Sequence, residues 1–294
     1  MEKKLFKLKY QASITPVDSA HPVEFWFALP PQNRYQILKK SAFNIEPSSS
    51  YVDEQGNKLC YFRATGQQIK FISELEVVLI DDNARDAKAK LSRFLKDEKF
   101  LCQSPKVRYL VAKVTEGLSD DLNTAKAMFR YIVKNFSYKY PVSKRGVENL
   151  NLAKLEGDCA EYSSLFVTMC RIADIPARNQ TGFVIFLEEN EVSEHAWAQV
   201  NLKGIGWVDM DTQYASFEEN ADKGMKLYFA KRSDLRVNFV NGFNVILKPF
   251  KKPISVSRKD DMIFTSNPII QCLQPLALKN SNIKKFSEKM VLIK

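Results

Sequence analysis

The sequence predicts an α+β protein in which β-rich segments flank a mixed centre. Three observations carry that prediction. Apolar and polar residues alternate near the N-terminus, as strands with one buried face require. From about residue 101 the apolar spacing changes to the three-and-four rhythm of helices. After Phe183 the alternation returns. The expected division is a β-rich, sandwich-like segment over 1–100, an α+β core over 101–215 and a β-rich, basic extension over 216–294.

Each element has its own signal. In FKLKYQASI the residues Phe6, Leu8, Tyr10, Ala12 and Ile14 fall on every second position. In VEFWFALPP, Val23, Phe25, Phe27 and Leu29 do the same, and Pro30-Pro31 stops the run. DEQGNK is a hairpin turn, and ELEVVLID is a further strand. A helix carrying Leu91, Phe94 and Leu95 is expected next, ending near Lys99. Ser104 as N-cap and Pro105 in the first turn open another helix, with Val107, Leu110, Val111 and Val114 on one face and Gly117 at its end. Leu122, Ala125, Phe129, Ile132, Val133 and Phe136 mark an amphipathic helix that stops before SYKYP. Residues 146–156 read as a loop. TGFVIFL, EHAWAQVNL and WVDMD read as strands, and the last eighty or so residues as short strands and loops with two proline breaks.

Composition narrows the function. The 294 residues are 45% hydrophobic and 27% charged, as in an ordinary folded protein. No apolar run approaches the roughly 20 residues that cross a bilayer. The start MEKKLFKLKY is basic but has no apolar segment behind it, so a cytoplasmic location is expected, or a periplasmic or secreted one if a signal peptide has been removed. Five cysteines (60, 102, 159, 170 and 272) are scattered without a CxxC pair, and only two histidines exist, His21 and His195. Neither a disulfide framework nor a zinc site is expected, and no cofactor is implied. The net charge is +10, and from Lys248 onward ten Lys/Arg stand against three Asp/Glu. A solvated basic surface explains this better than a nucleic-acid groove, because aromatic residues are not clustered among the charges. The oligomeric state is not readable.

The stretch GDCAEYSSLF carries the chemistry. Asp158 is a good N-cap, and Glu161, three residues on, can complete a capping box. The helix then runs to about Ala173. Cys159 falls at its first position, where unpaired N–H groups favour a thiolate and are expected to depress the thiol pKa. Helical spacing aligns Cys159 with Tyr162, Leu165, Phe166, Met169 and Ala173, which turns the thiol inward. Free cysteines are commonly buried core residues, and Cys170 fits that description. Cys159 fits it poorly, since a core cysteine needs neither a preceding glycine nor a cap.

His195 begins the strand HAWAQVNL, and a tight turn near Lys203-Gly204 leads into GWVDMD. A three-residue loop of 202–204 would pair His195 with Asp211, and a two-residue loop would set Asp211 opposite Ala196. Either places a carboxylate beside the imidazole, and Asp209 is the reserve on the same face. Cys159, His195 and Asp211 thus suggest a nucleophile, a general base/acid and an orienting acid.

GDCAEYSSLFVTMCRIADIPARNQTGFV, followed by EHAWAQVNLKGIGWVDMDTQ, resembles the core of the transglutaminase-like superfamily of cysteine enzymes, bacterial members in particular. The resemblance spans about 104–214, and LYFAKRSDLRVNFVNGFNVILKP resembles the tail of bacterial members. Asp174 stands where the family often has glycine, and Thr212-Gln213 where proline-threonine is common. The resemblance implies a papain-like core, with the nucleophile helix packed on an antiparallel sheet. It also implies acyl transfer through a thioester, with Cys159, His195 and Asp211 in the three roles. The backbone N–H of Cys159 is one oxyanion donor; Tyr138 and Tyr140 are weak candidates for a second. Trp197 and Trp207 read as hairpin packing.

The favoured function is a cysteine protease or amidohydrolase acting on a protein or peptide substrate. The alternatives are a protein-glutamine transglutaminase, which passes the same thioester to an amine, and an interaction module with a silent core.

Overall fold

The computed structural model describes residues 3–33, 35–80, 91–231, 235–249, 264–265, 269–270, 273–279 and 282–293. Six strands come first: β1 (Lys3–Thr15), β2 (Val23–Leu29), β3 (Gln36–Phe43), β4 (Ser49–Val52), β5 (Lys58–Ala64) and β6 (Ile69–Ile80). Helices α1 (Pro105–Val114) and α2 (Asp121–Asn135) follow, then β7 (Phe136–Tyr138), β8 (Leu155–Gly157) and α3 (Cys159–Ile172). Next come β9 (Ala177–Phe186), β10 (Glu191–Leu202), β11 (Gly206–Met210), α4 (Thr212–Ser216) and α5 (Ala221–Tyr228). The chain closes with β12 (Arg236–Asn241), β13 (Val245–Ile246), β14 (Phe264–Thr265), β15 (Ile269–Ile270), β16 (Leu276–Lys279) and β17 (Lys285–Ile293). This is the expected α+β class, with β-rich regions on both sides of a helical core.

Contacts group the chain into two compact units that are not consecutive in sequence. One is Met1–Asp82 with Thr181–Glu194 and Asp234–Lys294; the other is Asn83–Gln180 with His195–Ser233. Strands β9 and β10 contribute residues to both.

The first unit is a sandwich. One sheet has the order β17-β1-β6-β3 and the other β14-β16-β2-β5-β4. Alternation works in β1 as the sequence implies: Phe6, Leu8, Tyr10, Ala12 and Ile14 are all buried. In β2 it undercounts, because Trp26 and Ala28 are buried as well. That strand lies between β5 and β16 and is covered on both faces. The sheets meet through rings: Tyr10 lies 5.2 Å from Phe27, and Phe25 stands edge-on to Phe71 at 5.1 Å. Losing one such phenyl to alanine would cost about 3–5 kcal/mol. The DEQGNK turn joins β4 to β5, with Gly56 in the left-handed region at φ 81°.

The second unit holds the helices. The Ser104 hydroxyl accepts the Val107 N–H at 3.5 Å, capping α1 as expected. Asp120 caps α2, whose Met128, Phe129 and Ile132 are fully buried. Phe129 packs edge-on against both Phe166 of α3 and Phe229. Helix α3 is buried on nearly every side from Ala160 to Arg171, not along one stripe. Asn179 of β9 donates to the Ser163 hydroxyl at 2.8 Å, and Arg171 donates to the Ala177 carbonyl at 2.9 Å, seating α3 on the strands. Asp174 ends α3 at φ 57°, a left-handed stop that glycine adopts most easily and aspartate tolerates.

Three expectations need correction. The helix around Leu91 is a single 3₁₀ turn, Leu91–Leu95, within the described residues. The region after 211 contains two helices, α4 and α5, which its polar, glycine-bearing sequence hides. Gly224 lets them touch, since a Cβ there would lie 2.4 Å from the Ala215 carbonyl oxygen. Finally, β17 is nine residues long, not short. Cys272 and the basic residues Lys251, Lys252, Arg258 and Lys259 lie outside the described residues.

Candidate active site

Cys159 begins α3, as its sequence setting implies, and Asp158 is the N-cap. The Asp158 Oδ1 accepts the Ala160 N–H at 3.0 Å. Glu161 does not complete a capping box. Its carboxylate turns instead to Arg145, whose Nη1 donates to Glu161 Oε2 at 2.5 Å and to Asp158 Oδ2 at 2.7 Å. One guanidinium therefore ties together two acids on the first turn of the nucleophile helix. Glu161 is fully buried, and this desolvation raises its pKa to about 7 against the pull of Arg145. Gly157 is part of the same packing: a Cβ there would sit 2.5 Å from Glu161 Cβ.

His195 and Asp211 meet. The imidazole Nε2 lies 2.7 Å from Asp211 Oδ2, with both side chains almost fully buried. An ionised carboxylate can only accept, so Nε2 carries the proton of the neutral ring and Nδ1 presents its lone pair. The other carboxylate oxygen, Oδ1, accepts the Tyr214 N–H at 2.9 Å, because Asp211 is the N-cap of α4. The Tyr214 ring stacks on the imidazole at 4.3 Å and 14°. Tautomer, ring plane and carboxylate are thus all held from α4.

The contact arises from a different register than expected. Strands β10 and β11 pair Ala198 with Met210 and Leu202 with Gly206, so the loop is residues 203–205. Continued, that register sets Asp211 opposite Trp197. The ladder ends at Met210, and Asp211 reaches His195 diagonally as the chain turns into α4. Asp209, the reserve, pairs with Gln199 and accepts its side-chain N–H at 2.8 Å. The same Gln199 takes two hydrogen bonds from Arg178, so Asp209 belongs to a separate buried network.

Cys159 adjoins this pair. Its sulfur takes a hydrogen bond from the backbone N–H of Ala196, the residue after His195. The thiol is not depressed, contrary to the expectation from the helix start. Burial pushes it well up, Asp158 and Asp211 add to this, and the Ala196 N–H and Arg145 only partly oppose it. Desolvation thus outweighs the partial charges of the helix mouth.

Tyr138 and Tyr140 are 50% and 64% exposed, and Trp197 and Trp207 are buried, as packing residues are. Trp207 meets Phe94 edge-on at 5.0 Å, and the Arg178 guanidinium lies over its ring. Two residues of the site were not foreseen, Arg145 and Tyr214. Tyr214 had a signal, since an aspartate three positions earlier is a cap pattern. Arg145 had none, being a loop cation thirteen residues from Asp158. Among the described residues no group of three His, Cys, Asp or Glu could hold a metal, and no helix is long and apolar enough to cross a membrane.

Residues 108–212 match the profile of the Transglutaminase-like superfamily. Over those residues the chain is similar to a transglutaminase-like core. Cys159, His195 and Asp211 all lie within the matched residues. A crystal structure of a candidate cysteine protease from Cytophaga hutchinsonii aligns with TM-score 0.64 at 15% identity, covering 100% of this chain and 93% of that one. At that identity the likeness speaks for the fold alone. A Haemophilus influenzae protein described only as uncharacterized is 25% identical over 244 residues, 68% of this chain and 66% of its own length.

Proposed function

We propose that the protein is a cysteine-dependent hydrolase of amide bonds in peptides or proteins. Cys159 is the nucleophile, His195 the general base and acid, and Asp211 the orienting carboxylate. The observation that carries this reading is the bond between His195 Nε2 and Asp211, which leaves Nδ1 as the nitrogen able to take a proton. The thiolate forms as Nδ1 removes the Sγ proton during attack. The sulfur bonds to the amide carbon, and the carbonyl oxygen becomes an oxyanion. The Cys159 N–H, at the first helical position, has no carbonyl inside the helix to donate to and suits that charge. The C–N bond then breaks as the imidazolium gives its proton to the leaving amine. Water, deprotonated by Nδ1, cleaves the thioester, releasing a carboxylic acid and restoring the thiol.

The family also favours a second reading, in which an amine replaces water at the thioester. Intact-mass analysis of a panel of glutamine and longer peptides, with and without a primary amine, separates the two. Cleavage or conversion of amide to acid supports the hydrolase, and stable incorporation of the amine supports acyl transfer. No conversion of any peptide, together with Cys159 reacting no faster than Cys170 towards a small alkylating agent, would leave an interaction module.

A further inference from the structure

A run of aromatic rings leads from the catalytic candidates out to solvent. His195 stacks on Tyr214, Tyr214 lies 6.4 Å from Phe217, and Phe217 meets Tyr138 edge-on at 5.8 Å. The first ring is buried and the last two are not: Phe217 is 59% exposed and Tyr138 50%. Tyr138 ends β7, where it pairs with Gly157, two positions before Cys159. Its phenol is close enough to the site that, after burial, Asp158 and Cys159 are what hold its pKa up. The exposed rings therefore border the nucleophile on one side while their buried end supports the imidazole.

A lone exposed aromatic needs no explanation, but two in contact beside a reactive centre do. Phe217 is followed by Glu218, Glu219 and Asn220, so the turn around it is otherwise polar. Two half-exposed rings offer on the order of 200 Å². That is far below the roughly 800 Å² per partner of a stable protein interface, and it matches one apolar side chain. We infer that Tyr138 and Phe217 form a ledge that receives an apolar side chain of an extended polypeptide substrate, setting its scissile amide over Cys159. The substrate role rests on the proposed hydrolase; the ledge as a binding site does not.

The test uses equilibrium binding, which does not depend on the chemistry. Capped hexapeptides of serine and alanine, with one phenylalanine placed at each position in turn, are titrated calorimetrically into the full-length Cys159→Ala chain. At least one placement should bind about ten-fold tighter than the parent peptide, and aspartate at that position should not. The gain should fall below about two-fold when Phe217→Ala or Tyr138→Ala is added, and Phe217→Leu should keep part of it. Leucine preserves the apolar contact, so it serves if the alanine variant fails to fold. Binding that is indifferent to phenylalanine at every position, or a gain that survives both alanine variants, overturns the ledge. If the gain behaves as expected while wild-type protein neither cleaves nor forms a thioester with the same peptides, the ledge stands and the hydrolase reading falls.

Discussion

Cys159 and Cys170 sit near opposite ends of α3, and burial pushes both thiols up. Cys170 has only the charge of Arg171 to oppose that. Cys159 has a capped helix start, the Ala196 N–H, the Arg145 guanidinium and a histidine one residue from its hydrogen-bond donor. On the proposed function, a reactive cysteine need not be an acidic one. What separates the two ends of the helix is the surround of each sulfur: the Ala196 N–H and Arg145 oppose burial at Cys159, and Arg171 opposes it at Cys170.

The largest effect should come from deleting each sulfur in turn. Cys159→Ala should lower amide turnover by at least about 10⁵-fold. Cys170→Ala should leave turnover within about two-fold while costing about 1–2 kcal/mol of stability by urea unfolding. Equal losses would erase the distinction.

Next comes the carboxylate behind the histidine. Asp211→Asn keeps a capping oxygen for Tyr214, so circular dichroism should show an intact fold. Turnover should nevertheless fall by up to about 10⁴-fold, because an amide neither stabilises the imidazolium nor fixes the same tautomer. Asp209→Asn, in the Gln199 network, should cost far less. The reverse ranking would move the third role to Asp209.

A smaller effect tests how the thiolate arises. His195→Ala should slow iodoacetamide labelling of Cys159 near neutral pH by about 10²-fold and leave Cys102 unaffected, read by peptide mass mapping. Unchanged labelling of Cys159 would mean that the helix mouth alone ionises the sulfur.

The last concerns stability rather than turnover, at Glu161. Burial raises its folded pKa above the unfolded carboxylate value. Between about pH 4.5 and 7 the unfolded chain gives up a proton that the folded one keeps, so stability falls as pH rises through that window. Glu161→Gln has no such proton. Its stability relative to wild type should therefore climb across the window, by up to roughly 3 kcal/mol. Glu288, also raised, titrates in both proteins and cancels. A pH-independent difference in urea midpoints would place the titration elsewhere.

The sequence made some of this legible and hid the rest for physical reasons. Period-two burial in β1 and the caps at Ser104 and Asp158 are local, so they could be read directly. The residues proposed for catalysis were readable because each carries a local marker: a cap before Cys159, an alternating strand run at His195, and the end of a strand just before Asp211. The hairpin register was not, because it depended on where the turn at 203–205 closed. Helix α5 was masked by Gly224, whose lack of a side chain serves contact with Ala215 and lowers helix propensity. The Arg145 clasp joins residues from a loop and a helix, and no pattern along the chain announces such a contact.

Strand β17 has a consequence for how the protein is made. It pairs with β1 over nine positions, from Lys7 with Ile293 to Thr15 with Lys285. On the ribosome, β1 emerges well before its partner, so one edge of that sheet stays open while every strand and helix between them is made. An open edge with unpaired backbone groups is a template for another chain. A chain truncated before Lys285 would retain every residue from Cys159 to Asp211 and still carry a bare, aggregation-prone border. Its fate in the cell would be decided by chaperones and proteases rather than by its chemistry.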